Sequence, residues 1–360
     1  MKIVIDCRMI NSSGVGVYLK EILRYLLDST HEFLLLGYSS EIIQNVNFKS
    51  LNKRIKILDY PKKTFSVDEL LFGLPHKTRK LINSYDLYYT PFFNIPKGIK
   101  KPIFSTIHDV VFPDMPELTS WLGLKIRMCF FKRAVKKSKL IFTVSEFSKE
   151  RIQHYFGSKK PIVVTYNGIP KYLSQLKEYP EKEKIAFDKP FLLFIGNIKK
   201  HKGLSVLLQA LSLCKEQGLN LKLFIVGNGE NFRTKDSTLD AKQANVAFTG
   251  FLSEEVLREY IKNAALLVQP SLYEGFGIPP LEAMSLGTPV LVSDIPVFKE
   301  IYADFPVTFF EAGNATDLSK RLIKLFENGI PQRVNLSDSQ KTKYTYEKTA
   351  NIVKKTLETN

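Results

Sequence analysis

Two successive doubly wound α/β domains are the architecture this chain predicts, on three observations. Its 360 residues exceed the roughly 250 to 300 at which a single hydrophobic core stops growing, so two domains are the natural division. Short apolar runs alternate with helical stretches, and several runs are apolar throughout, as in a parallel sheet covered on both faces. After a charged, proline-bearing stretch, KEYPEKEKIAFDKP from Lys177 to Pro190, the alternation starts again.

The first series reads KIVID (Lys2 to Asp6), EFLLLGY (Glu32 to Tyr38), IKILDY (Ile55 to Tyr60), DLYYT (Asp86 to Thr90), IFSTIHD (Ile103 to Asp109), KLIFTVS (Lys139 to Ser145) and PIVVTYN (Pro161 to Asn167). Helices are expected between them, among others at Tyr18 to Leu27 and Glu117 to Lys136. The second series reads FLLFIG (Phe191 to Gly196), a helix from Leu204 to Lys215, LKLFIVG (Leu221 to Gly227), then VAFTG, ALLVQPS and PVLVSD. The expected domains are residues 1–175 and 176–340, followed by a closing segment at 341–360. Ligands of such sheets bind beyond the carboxyl ends of the strands, so the productive cleft is expected between the domains.

A hydrophobic content of 44% with 24% charged residues belongs to a soluble globular protein and excludes a fibrous or disordered one. The net charge of +16 is unevenly spread: residues 1–170 hold 27 basic and 14 acidic side chains, a net of +13, and the remainder hold 25 and 22, a net of +3. Basic clusters occur at Lys62 and Lys63, at Lys77, Arg79 and Lys80, and along LKIRMCFFKRAVKKSK from Leu124 to Lys139. In the last, Leu124, Ile126, Met128, Phe130 and Phe131 interleave with Lys125, Arg127, Lys132, Arg133, Lys136 and Lys137. A solvated helix face accounts for any single run, but a cationic helix carrying exposed aromatics is what an anionic bilayer surface attracts. Lys132, Arg133, Lys136 and Lys137 are therefore expected to face a membrane. Nucleic acid is not an expected partner, because no helix-turn-helix, zinc or RNP-like signature accompanies the charge. Three scattered cysteines without CxxC spacing fit reduced thiols. Asp6 interrupts the first apolar run where a signal peptide would continue, and no run approaches the roughly 18 residues of a membrane span. The expectation is a cytoplasmic protein associated peripherally with the inner leaflet.

The loops after strands carry the chemistry. NSSGVGVY (Asn11 to Tyr18) follows the first strand and opens a helix; Gly14 and Gly16 permit close backbone approach there, and the helix N-terminus can receive an anion. A tight turn is the plain alternative. GNIKKHKGL (Gly196 to Leu204) sets Lys199, Lys200 and Lys202 in front of a helix, where ammonium groups and the helix dipole together suit a diphosphate. In SLYEGFGIPPLEAM (Ser271 to Met284), Glu274 falls in a strand-to-helix loop, and Glu282 falls inside the helix that Pro279 and Pro280 begin. The amides around Gly275, Phe276 and Gly277 would face the same space as Lys202. Glu282 could accept the paired hydroxyls of a ribose, and Glu274 those of a sugar near its reacting carbon. An ordinary loop acid and an ordinary helix acid would have the same spacing.

EGFGIPPLEAM resembles the EX7E motif of the retaining GT-B glycosyltransferases, specifically glycosyltransferase family four (group 1). The likeness runs through almost the whole chain: GVGVY, TIHDVVF (Thr106 to Phe112), TVSEFSKERI (Thr143 to Ile152), YNGI (Tyr166 to Ile169), GNIKKHKGL, FIVGNG and LGTPVLVSDIP stand in the family's order. The resemblance implies two Rossmann-like domains, an acceptor domain first and a nucleotide-sugar donor domain second, and a closing helix around Tyr346 to Ala350 that returns to the first. It implies that Glu274 contacts the transferred sugar, that the backbone of Gly275, Phe276, Gly277 and Ile278 holds sugar and phosphate, and that Glu282 binds the ribose. Lys202 matches the lysine that neutralises the departing diphosphate, His108 a histidine lining the sugar site, and Gly14 and Gly16 the loop approaching donor or acceptor. Where many members carry an arginine, this chain has Asn197, so Lys202, with Lys199 or Lys200, must carry more of the charge. Asn197 followed by HK is similar to the bacterial mannosyl- and rhamnosyltransferase branch.

The resemblance implies retention of anomeric configuration. No Asp-x-Asp pair occurs in the sequence, so no metal and no other cofactor is expected, and the leaving diphosphate would be stabilised by Lys202 and backbone amides. A retaining hydrolase sets two carboxylates about 5 Å apart across the sugar; eight positions spanning loop and helix do not suit that, and front-face attack by the acceptor hydroxyl is favoured. The expected donor is a GDP- or dTDP-hexose, mannose foremost, and the expected acceptor a saccharide on polyprenyl diphosphate, in cell-surface polysaccharide synthesis. A UDP-dependent glucosyl or N-acetylglucosaminyl transferase, a phosphorylase or synthase of the same fold, and a non-catalytic nucleotide-sugar binding protein remain as alternatives.

Overall fold

The structure, a computed structural model, describes residues 1–46, 53–62, 64–66, 69, 72–174, 187, 190–227 and 245–359. Lys63, the boundary expected at 175/176, most of the stretch Lys177 to Pro190 and the last two residues of FIVGNG lie outside the described residues. The chain forms two compact units, Met1–Gly168 with Thr345–Asn360, and Ile169–Tyr344.

The first unit is built on a seven-stranded sheet: β1 (Lys2–Asp6), β2 (Glu32–Gly37), β3 (Ile55–Asp59), β4 (Leu87–Thr90), β5 (Ile103–Thr106), β6 (Leu140–Thr143) and β7 (Ile162–Val164). Its order is β3-β2-β1-β4-β5-β6-β7, and every pairing is parallel. The order in which successive strands are laid down reverses between β1 and β4, which makes that junction the topological switch point. β4, β5 and β6 are buried along their whole length, as unbroken apolar runs require when helices cover both faces. One face of the sheet packs against helix Ser13–Leu26, and that core also takes in Tyr346, Ala350, Val353 and Leu357 of the last helix, Tyr346–Thr359. Gly168 makes this return close: a Cβ there would stand 2.1 Å from the Tyr346 nitrogen. Thr349 Oγ1 donates to the carbonyls of Thr165 (3.3 Å) and Tyr166 (3.1 Å).

At the carboxyl end of β1 lies a buried charge network. Arg8 donates through Nε and Nη2 to the two oxygens of Asp6 at 2.9 and 2.7 Å and through Nη1 to Glu69, while Tyr88 donates to Asp6 at 2.7 Å and Asn94 to Glu69 at 3.1 Å. Such a network is tolerated in a core only when every member is satisfied. These bonds hold the loop after β1 in one position.

The second unit is a six-stranded parallel sheet: β8 (Phe191–Ile195), β9 (Lys222–Val226), β10 (Val246–Gly250), β11 (Leu266–Gln269), β12 (Val290–Ser293) and β13 (Val307–Phe310), in the order β10-β9-β8-β11-β12-β13. This is the Rossmann strand order, with the switch point between β8 and β11. Strand β13 was not among the expected runs; VTFF is short, sits at the sheet edge and follows Phe305-Pro306, so little in its pattern sets it off from loop.

Two helix starts differ from expectation. The first helix begins at Ser13, so Gly14 and Gly16 occupy its opening turns. The basic helix begins at Trp121, not Glu117, because Ser120 caps it by accepting from the Gly123 amide at 3.2 Å, and a 3-10 turn, Pro116–Leu118, precedes the cap. On that helix the aromatics expected to be exposed are packed. Phe131 is buried, and Phe130 and Phe131 lie against Phe65 and Phe93 respectively, at 4.9 and 4.2 Å between centroids. The exposed apolar residues are Trp121 (69%), Leu122 (61%) and Ile126 (47%). They share one stripe with exposed Lys125, Lys132 and Lys136, spaced as one face of a helix requires. Arg133 is a partial correction: it is half-buried and donates through Nε to the Ile95 carbonyl at 2.9 Å, so part of its hydrogen-bonding capacity is spent on the fold.

Candidate active site

In the second unit, the loops after β8 and β11 flank the switch point, and the residues singled out by sequence sit on them. After β8 come Gly196 and half-buried Asn197, then exposed Lys199 and a 3-10 turn, Lys200–Lys202, leading into helix Leu204–Glu216. After β11 the chain runs from Pro270 to Gly277 before helix Ile278–Ser285, which carries prolines in its first turn and Glu282 on a buried position.

Two contacts lock these loops together. The His201 carbonyl accepts from the amides of Leu272 (2.8 Å) and Tyr273 (3.3 Å). Gly203, at φ +67°, lies so near Pro270 that a Cβ would come within 1.8 Å of the Pro270 carbonyl oxygen; only glycine takes that conformation at that distance. Lys202 is thereby placed beside Glu274. Its ammonium donates to both carboxylate oxygens, at 2.8 Å to Oε1 and 2.7 Å to Oε2. Glu274 is 9% exposed, so this is a partly desolvated pair in which charge counts for more than on the surface.

Sequence reasoning missed the side chains that hold Glu274 from its other side. Ser271 Oγ donates to Glu274 Oε1 at 2.8 Å; Gln269 Nε2 donates to Ser271 Oγ at 3.0 Å and, at 3.4 Å, to Glu274 Oε1. A signal for Gln269 was present: it ends the strand LLVQ, which is buried throughout, and a buried amide needs partners. Ser293 at the end of β12 donates in turn to the Ser271 carbonyl. His201 is half-buried, its Nδ1 without a hydrogen-bond partner among the described residues. Burial first and the neighbouring Lys202 charge second push it down to about 4, against the opposing pull of Glu274.

Gly277, at φ +84°, caps the following helix; its carbonyl accepts from the Tyr302 hydroxyl, and a Cβ would strike the Phe298 ring at 2.3 Å. Gly275, Phe276 and Gly277 are buried, and Ile278 half-buried. Glu282, 6% exposed, accepts from the Tyr172 hydroxyl at 3.1 Å; Tyr172 is a neighbour that sequence reasoning missed.

His108, Gly14 and Gly16 belong to the first unit. A Cβ on Gly16 would meet the Ile10 carbonyl at 2.4 Å, whereas Gly14 has open space around its Cα. His108 Nε2 donates to the Pro91 carbonyl at 2.9 Å, and its ring meets Tyr18 edge-on at 4.9 Å. Burial pushes its pKa down to about 4. With Nε2 carrying the proton toward a carbonyl, Nδ1 is left as the lone-pair nitrogen of a neutral imidazole.

Tandem parallel-sheet Rossmann-like domains define the GT-B class of glycosyltransferase fold. The chain matches the solved structure of sucrose-phosphate synthase from Thermosynechococcus elongatus at a TM-score of 0.74 and 15% identity, over 100% of this chain and 98% of that one. Residues 12–171 match the family model described as Glycosyltransferase Family 4, and residues 176–343 the one described as Glycosyl transferases group 1. The chain belongs to this glycosyltransferase family. It is 28% identical to an uncharacterized glycosyltransferase of Methanocaldococcus jannaschii over 315 residues, 80% of this chain and 78% of that protein. It is also 28% identical to O-antigen chain mannosyltransferase B of Escherichia coli over 236 residues, 61% of this chain and 59% of that one.

A neutral, half-buried histidine ties stability to pH. The unfolded chain takes up a proton on His108 near its ordinary value of 6.5, the folded chain only near 4, so stability is full above about 6.5 and is lost as pH falls from there toward 4. The thermal midpoint of the parent should drop between pH 7 and pH 5, and His108→Gln, which keeps a donor for Pro91 but cannot titrate, should show a shallower drop in the same scan. Equal slopes for both proteins would count against a His108 held neutral in the folded chain.

Proposed function

We propose that the chain is a retaining, metal-independent hexosyltransferase. It would move mannose or a related hexose from a GDP- or dTDP-sugar to a saccharide acceptor on polyprenyl diphosphate, in cell-surface polysaccharide synthesis. The observation that carries this reading is the pairing of Lys202 with Glu274 at the switch point of a parallel sheet, in a chain of this family. Lys202 and the N-terminus of helix Leu204–Glu216 stabilise the charge that develops on the departing diphosphate. Asn197 and the backbone from Gly275 to Ile278 line the donor, Glu282 accepts ribose hydroxyls, and Glu274 holds hydroxyls of the transferred sugar. On the first unit, Gly14 and Gly16 allow close backbone approach, and neutral His108 offers a lone-pair nitrogen to a hydroxyl of a bound saccharide. The acceptor hydroxyl attacks the anomeric carbon on the face from which the diphosphate leaves. The bond from that carbon to the phosphate oxygen breaks, the bond to the acceptor oxygen forms, and the hydroxyl proton passes to the leaving phosphate. Kinship with an O-antigen chain mannosyltransferase supports mannose and a polysaccharide product.

The deciding experiment is a panel of radiolabelled GDP-, UDP- and dTDP-sugars, tested with EDTA present for binding and slow hydrolysis. GDP-mannose or another GDP- or dTDP-hexose should be preferred. Preference for UDP-glucose or UDP-N-acetylglucosamine would overturn the donor assignment, and dependence on added divalent ion the metal-independent one.

The two carboxylates should separate kinetically. Glu274→Gln should lower turnover strongly, because its partner is the reacting sugar. Glu282→Gln should weaken nucleotide binding by about 1.5 to 3 kcal/mol, the usual loss for a charge-assisted hydrogen bond. Reversed effects in steady-state kinetics and titration calorimetry would exchange the two roles.

The same reading docks the first unit on the anionic inner leaflet through Lys132, Lys136 and Lys137, with Arg133 contributing charge and exposed Trp121, Leu122 and Ile126 entering the headgroup region. No helix among the described residues is long and apolar enough to cross a membrane, and each surface lysine near such a leaflet adds about 1 kcal/mol. The protein should pellet with vesicles containing anionic lipid and be released by roughly 0.5 M salt, where the Debye length falls below its physiological value. Replacing Lys132, Lys136 and Lys137 with Gln should reduce pelleting; a triple variant that sediments like the parent would place the docking face elsewhere.

A further inference from the structure

The proposed function gives Lys202 to the diphosphate and Glu274 to the sugar, yet the two hold each other. We infer that Glu274 competes with the diphosphate for Lys202, and that this competition expels the nucleoside diphosphate once the sugar has been transferred. The inference rests on the donor site proposed above.

The geometry restricts what can move. The backbone of Lys202 is fixed to the loop carrying Glu274 by the His201 carbonyl and by the approach of Gly203 to Pro270. The carboxylate is anchored from behind by Ser271 at 2.8 Å, itself held by Gln269. The mobile element is the lysine ammonium. Two of its three N–H groups point at Glu274, which leaves one for an incoming anion. While the pair is closed its net charge is zero, and the field it offers a diphosphate is weak. His201, held neutral near pH 7 by burial and by the Lys202 charge, supplies no second cation.

A sugar nucleotide changes this balance. Sugar hydroxyls donate to Glu274 and satisfy its lone pairs, so the ammonium is free to turn toward phosphate. When the sugar departs with the acceptor, Glu274 loses those donors while remaining nine-tenths buried. An unpaired carboxylate there is costly, and it draws Lys202 back. The intact donor is thus held by a lysine that the product can no longer keep to itself.

Titration calorimetry with GDP, UDP and dTDP on the parent, Glu274→Gln, Lys202→Gln and the double variant tests this. The nucleoside diphosphate that the parent binds best should bind Glu274→Gln about tenfold tighter, equivalent to about 1.4 kcal/mol, with slower dissociation in stopped flow. Glu274→Ala, which frees the same lysine without an amide, should show the same direction, and the double variant should lose the gain. If Glu274→Gln binds no tighter than the parent while Lys202→Gln binds more weakly, the competition is overturned and the donor site stands. If Lys202→Gln binds like the parent, or the parent binds none of the three, the donor site itself falls, and the inference with it.

Discussion

The contact of Gly203 with the Pro270 carbonyl is the constraint on which the second unit's site depends. A parallel sheet brings the carboxyl ends of β8 and β11 side by side at its switch point, but adjacency of strands alone leaves the loops beyond them several ångströms of play. The missing Cβ at Gly203 lets one loop rest on the other, the His201 carbonyl ties them by accepting two hydrogen bonds from backbone amides, and the side chains that follow have no independent choice of position. Lys202 meets Glu274 because their backbones are already joined.

The first unit meets the same problem by different means. Its β1 loop is held by charge, with Arg8 bridging Asp6 and Glu69 in a setting where all three side chains are almost wholly buried. Such a bridge contributes little net stability compared with an apolar core of equal volume, but its geometry is demanding and breaking it is costly. Nearby, Tyr18, Tyr89 and Thr106 join hydroxyls at 2.9 to 3.5 Å, and the Tyr18 ring meets His108 edge-on. One unit positions its loop by close packing of backbone and the other by satisfied polar groups.

How much of this could be read in the sequence follows from where the information lies. Strands buried on both faces appear as apolar runs, so LIFT and LLVQ declare themselves, and glycines and prolines around Glu274 and Glu282 mark the loop and the helix start. Lysines before a helix point to an anion without any tertiary contact being known. What stayed hidden depends on partners distant in sequence or on residues of ordinary appearance. Phe130 looked exposed because nothing local reveals Phe65 packing against it. Ser271 looked like a loop serine, Tyr172 like a loop tyrosine, and Arg133 like its neighbours Lys132 and Lys136, although its guanidinium reaches the Ile95 carbonyl. The basic helix starts at Trp121 and not at Glu117 because Ser120 caps it, a choice made by one side chain.

The last helix bears on how the protein is made. Tyr346, Ala350, Val353 and Leu357 belong to the same core as Ile3, Ile5 and Leu35, so the amino-terminal unit has a gap in its interior until the far end of the chain arrives. During synthesis at about 5 to 20 residues per second, the whole of Ile169–Tyr344 is made in the meantime, a wait of roughly 10 to 35 s. The second unit, whose residues are contiguous, can close first, and the order of completion then runs opposite to the order of translation. Throughout that interval helix Ser13–Leu26 lacks the apolar side chains that the last helix contributes to its core in the folded chain.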